Sequence, residues 1–191
     1  MLDFVAHWWS FGVLAALLVA AAVADVKTGK IHNVITYPAI AIGLIGHTLV
    51  GGPTGADGLM GLTDSLAGLA LGSVLIAAWL AGGIGGGDAK LMVAVGALAG
   101  WRFTLSAMFW GFLVAALMAV IVMISRRIVR RTLGRIFRFL ILLFTPGKPA
   151  DPATADSPKI PFGLALCIGS AIGLMEALVW GPGARKLILG M

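Results

Sequence analysis

Asp25 and Asp88 are the residues of this chain whose type and setting point most directly to chemistry. Each lies at the edge of an apolar stretch, where a carboxylate is costly and usually functional. Asp25 closes the first apolar segment in VADVKTGKIHN, and Asp88 follows a glycine run in GIGGGDAKLMVAVGALAG. Two carboxyls brought within a few ångströms cannot both ionise comfortably, so the pair shares a proton. The ionised member can then deprotonate a water while its protonated partner polarises a carbonyl, the division of labour by which aspartic proteases cut a peptide bond. Such a pair calls for no metal and no cofactor. Taken singly, each aspartate has a plainer reading. Asp88 stands where an aspartate caps a helix N-terminus. Asp25 falls at a helix C-terminal end, where the dipole disfavours an anion, so capping explains it less well. Gly85, Gly86 and Gly87 allow a backbone to approach closely, as an extended peptide substrate would, or simply make a turn between two helices.

The elements that must carry these residues are membrane helices. Of the 191 residues, 60% are hydrophobic and 12% charged, whereas soluble domains are about a quarter charged. That excludes a disordered chain and argues against a soluble one. We expect an all-α, polytopic membrane protein, one membrane-embedded domain over residues 1–191. Hydropathy predicts six helices, at about Phe4–Ala24, Val34–Val50, Ser65–Gly82, Ala89–Gly100, Phe103–Ser125 and Pro161–Trp180. MLDFVAHWWSFGVL lacks the basic start of a signal peptide, so the first helix is expected to be retained. The fourth is short for a full crossing and is expected to tilt, to pair with a neighbour or to be partly re-entrant.

Loop charge gives the orientation. Lys27 and Lys30 lie in the first loop and Lys90 ends the third. The fifth holds Arg126, Arg127, Arg130, Arg131, Arg135, Arg138, Lys148 and Lys159. Only Arg102, Arg185 and Lys186 fall on the other side. The richer side is cytoplasmic by the positive-inside rule, which puts Asp25 and Asp88 at the same, cytoplasmic face. The net charge of +6 therefore belongs to membrane-flanking loops and implies anionic lipid as a partner, with no nucleic acid. In RRIVRRTLGRIFRFLILLF the arginines recur every three or four residues between apolar ones. This basic amphipathic segment, within about residues 126–160, is either a helix lying on anionic lipid or a cytoplasmic extension of helix five. TPGKPADPATADSP after it reads as a linker. The lone Cys167 excludes an internal disulfide and reads as a packing residue. His7, His47, Asp57, Asp64 and Glu176 map to the outer half as interfacial or loop groups. Trp8, Trp9, Trp101, Trp110 and Trp180 form an aromatic belt, and Trp79 packs.

These residues resemble a known family. GGGDAKLMVAVGALAG is similar to the G-x-G-D-x-K signature of the type IV prepilin peptidases, membrane aspartic peptidases of the bacterial inner membrane. DVKTGKIHN is similar to the family's D-x-x-x-x-x-I-P-N segment, and KIPFGLALCIGSAIGL to its apolar final segment. The resemblance implies that Asp25 and Asp88 are the catalytic pair, that Gly85 and Gly87 are the motif glycines and that Gly86, between them, supports the same turn. It also matches Lys90 to the motif lysine and Asn33 to the family asparagine, which is expected to cap helix two. Lys90 either favours the ionised form of Asp88 or marks the cytoplasmic boundary. His32 stands where the family usually has proline; a two-carboxylate mechanism gives it no task. The chain opens on its first helix and has no C-x-x-C pair, so it resembles the short, peptidase-only branch serving tight-adherence (Flp) pili, without N-methyltransferase activity. The implied substrates are pilin and pseudopilin precursors with a short basic leader, cut at the cytoplasmic face. Their apolar helix is expected to pack beside helices one and four through the small residues of VAVGALAG. The alternatives are a small proton-coupled membrane transporter, which ought to show related halves or midplane polar groups, and a non-catalytic pilus assembly factor.

Overall fold

In hydrocarbon the backbone has no partner but itself, and long runs of Ala, Leu and Val answer that demand with helices. The computed structural model describes residues 2–55, 59–129, 134 and 161–179, and every element among them is helical. In chain order these are α1 (Leu2–Thr28), α2 (Asn33–Gly51), α3 (Leu62–Gly72), α4 (Val74–Leu80), α5 (Gly86–Ser125) and α6 (Phe162–Val179). Trp8–Thr28, Asn33–Gly51, Leu62–Leu80 and Gly86–Ser125 are each long and apolar enough to cross a membrane, and Phe162–Ala177 is a shorter apolar helix. The expected all-α, multi-pass architecture is therefore the one observed.

Two details differ from the hydropathy reading. The third predicted helix is two, α3 and α4, joined at Ser73, whose hydroxyl donates to the Leu69 carbonyl at 2.8 Å. The fourth and fifth form one run, α5, broken at Gly100 with φ 74° and ψ 174°. That positive φ is open to glycine and strained for other residues, and here it turns the chain back. A Cβ on Gly163, at the start of α6, would touch the carboxylate of Asp88 near the start of α5. Phe162 beside it meets Phe112, ring centroids 6.0 Å apart. Residues 88 and 112 thus lie at the same end of the bundle, whereas an unbroken helix would hold them about 36 Å apart. Farther along α6, Gly169 packs on Gly111 and Gly173 faces Phe103, so the returning limb runs antiparallel to α6.

The outgoing limb explains why the fourth predicted helix is short. Ala89 and every residue from Leu91 to Gly100 are buried, so this limb forms the centre of the bundle and lipid thickness does not set its length. Small residues let its neighbours close in. A Cβ on Gly96 would strike the backbone of Gly68 in α3, one on Gly72 the Met92 carbonyl, and one on Gly43 in α2 would lie 2.6 Å from the Ala97 carbonyl. The stripe VAVGALAG is therefore occupied by this chain's own α2 and α3. The expectation that a substrate helix packs there does not hold.

His47 also departs from expectation. It is 2% exposed, lies 2.8 Å through Nε2 from the Leu98 carbonyl and meets the Trp9 ring in a tilted contact with centroids 4.9 Å apart, so it ties α2 to α5 inside the bundle. Cys167 is buried among apolar neighbours, as a packing residue should be. The chain divides into two units, Met1–Val114 with Pro161–Met191 and Ala115–Ile160. In the second, the helix ends at Ser125 and the chain turns at Arg127, with φ 56°. Beyond Val129 the basic amphipathic segment and the linker lie outside the described residues, Gly134 excepted, as do Asp57 and Trp180.

Candidate active site

Five helix ends meet at the end of the first unit that carries the two aspartates. They are the C-termini of α1 and α4 and the N-termini of α2, α5 and α6. Asp25 sits in the last turn of α1, which closes with the Gly29 amide donating to the Asp25 carbonyl at 2.8 Å. Asp25 is 7% exposed. A buried carboxylate needs donors, and the amide of Leu164 donates to Asp25 Oδ2 at 2.8 Å. Leu164 is the third residue of α6, where helix amides lack intrahelical acceptors and the helix dipole is positive. Asp25 thus fills a place that would otherwise fall to a capping side chain.

Asp88 is the third residue of α5 and less buried than Asp25. Its carboxylate folds back over Gly85, where a Cβ would stand 2.8 Å from Oδ2. The two acids converge on Gly163. A Cβ there would lie 2.6 Å from Asp88 Oδ1, 3.0 Å from Asp25 Oδ2 and 2.9 Å from Ile31 Cδ1. The two carboxylate oxygens can therefore be no farther apart than the first two distances laid end to end.

The remaining residues singled out by sequence surround this pair. The bare side of Gly86 faces the Trp79 indole, 2.9 Å from a notional Cβ, and that of Gly87 faces the backbone and Cβ of Ile31 at 3.0–3.1 Å. Both glycines thus receive neighbours from the chain itself. Lys90 donates to Asn33 Oδ1 at 2.9 Å, and its ammonium lies 5.4 Å from the centre of the Tyr37 ring. Asn33 is consequently not the cap of α2. The N-cap is His32, extended at φ −83° and ψ 143° and without a side-chain cap bond. Asn33 instead ties the start of α2 to the start of α5.

Sequence reasoning missed Gly163, Leu164 and Ile31. The segment KIPFGLALC was read as an apolar helix, and its one usable sign was a glycine just inside the helix start, where side-chain space matters if something packs against it.

With this geometry in view, the comparison with known families is direct. The description "Type IV leader peptidase family" belongs to a family whose profile matches residues 12–120. The chain belongs to that family, a multi-pass membrane protein of leader-peptidase type. The match takes in both aspartates and ends before α6. No curated protein and no solved structure matches the chain.

Proposed function

We propose that this protein is a prepilin leader peptidase that cuts by a two-aspartate mechanism. The observation that carries the reading is the convergence of Asp25 and Asp88 on one point of α6. One carboxylate takes a proton from a water held between the pair, and the water oxygen adds to the scissile carbonyl. The other carboxyl donates its proton to the carbonyl oxygen as charge develops there. Collapse of the tetrahedral intermediate breaks the C–N bond; the proton taken from water passes to the leaving amine, and a hydroxyl of the intermediate returns a proton to the second carboxyl as the new carboxyl group forms. Every atom and charge is accounted for by two carboxyls and one water.

Family membership supports pilin precursors as the substrate class. Within it, the sequence favours Flp-type (type IVb) precursors, a bacterial inner-membrane location, aspartates at the cytoplasmic face and no methyltransferase activity. The chain functions as a single membrane domain, with Gly85, Gly86, Gly87, Lys90 and Asn33 supporting the site. The basic segment after α5 would favour anionic lipid.

The test is co-expression of the full chain with an Flp-type pilin precursor, following the precursor by its change in gel mobility. Wild type should shorten it. Asp25→Asn and Asp88→Asn should each lower processing at least about 100-fold, since each removes a proton-transfer group. Processing that persists in either variant overturns the mechanism.

A further inference from the structure

The first turn of α6 lies beyond the matched family region, yet it reaches both carboxylates. Several other glycines of this bundle, Gly43, Gly68, Gly72 and Gly96 among them, lie against the backbone of a neighbouring helix. On α6 itself, the three atoms nearest a notional Cβ on Gly169 are backbone atoms of Trp110 and Gly111. Gly163 differs, because two of the three atoms nearest its notional Cβ are carboxylate oxygens of Asp88 and Asp25. The next residue supplies the amide that holds Asp25. Resting on the reading of Asp25 and Asp88 as the reacting pair, we propose that Gly163 is a positioning residue of the reaction, its missing side chain letting the carboxyls close on a shared water while the Leu164 amide fixes one of them.

The physical argument concerns what would yield to a methyl group at Gly163. At 2.6 and 3.0 Å from two oxygens, a carbon must displace something. Ile31 Cδ1, at 2.9 Å, is the end of a flexible side chain, and the carboxyl of Asp88 is the end of another. The helices can therefore stay packed while the carboxyls part. At Gly169 the obstacle is backbone, so the helices themselves must separate. The two glycines predict opposite signatures, lost chemistry at Gly163 and lost stability at Gly169.

The experiment uses the full chain purified in detergent, with Gly163→Ala and Gly169→Ala compared on a pilin-precursor substrate. For Gly163→Ala we expect kcat to fall about 100-fold, KM to stay within about twofold and the melting temperature to stay near wild type. For Gly169→Ala we expect a lowered melting temperature, with activity lost only in step with folded protein. An activity-independent arm places Asp25→Cys and Asp88→Cys together, with Cys167→Ala, and measures their joining by a short thiol cross-linker. Adding Gly163→Ala should slow that joining, and adding Gly169→Ala should not slow it while the protein is folded. A Gly163→Ala enzyme that cleaves within about threefold of wild type overturns the proposal. So does unchanged cross-linking. If wild type cleaves no precursor but cross-linking still responds to Gly163→Ala, the peptidase reading falls, and with it Gly163's role in that reaction, while its control of the spacing between positions 25 and 88 stands.

Discussion

Asp25 and Asp88 are held by different means. The first is nearly enclosed and fixed by a backbone amide from another helix, and the second is more open and leans on its own first turn. A pair that works by sharing a proton has a definite pH signature. At low pH both carboxyls are protonated and no base remains; at high pH both are ionised and no acid remains. The rate should fall on both sides, and a kcat flat across several pH units would contradict the shared proton. Lys90 offers a second test at this scale. Its ammonium is engaged by Asn33 and Tyr37, a contact that joins α2 to α5. Lys90→Met should cost about 1 kcal/mol of stability, read as a lower melting temperature, and leave the shape of the pH–rate profile unchanged. A displaced profile would instead assign Lys90 to the carboxyls. The two aspartates were legible in the sequence because a charge beside apolar helices needs a reason. Gly163 was not, because a glycine's meaning lies in what approaches it, and that is known only after folding.

The helices themselves were legible from hydropathy, since backbone satisfaction in lipid leaves few alternatives. The break between the fourth and fifth predicted helices fell at Gly100, where the structure turns the chain. The interruption at Ser73 was hidden because Val74–Leu80 continues the apolar run without a glycine or proline. VAVGALAG correctly signalled close helix contact but not which helix would make it. The contact predicts its own sensitivity. Gly96→Ala would press a methyl against the Gly68 backbone and should destabilise by about 1–3 kcal/mol, as overpacking does. Thermal melting in detergent checks this, and an unchanged melting temperature would mean that α3 and α5 approach less closely than described.

For the whole molecule, loop charge predicts an orientation as well as a fold, and the bundle's geometry agrees that Asp25, Asp88 and the starts of α2 and α6 share one end. With Cys167→Ala as background, Lys30→Cys should be labelled by a membrane-impermeant thiol reagent only from the cytoplasmic side, and Thr54→Cys only from the other. Labelling of both from one side would refute that topology. That the first loop and Lys90 share one end was legible, because the order and number of apolar segments are properties of sequence. The meeting of three helix ends around two carboxyls was not, because residues 25, 88 and 163 are brought together only by the turn at Gly100 and the packing of α6. The most direct measurement of the central claim is the pH–rate profile for cleavage of a pilin precursor by the purified protein, taken for wild type, Asp25→Asn and Asp88→Asn. A bell-shaped profile for wild type, with no measurable cleavage by either variant at any pH, is the result expected of two carboxyls acting as one device. Cleavage by either variant near the wild-type rate would contradict it.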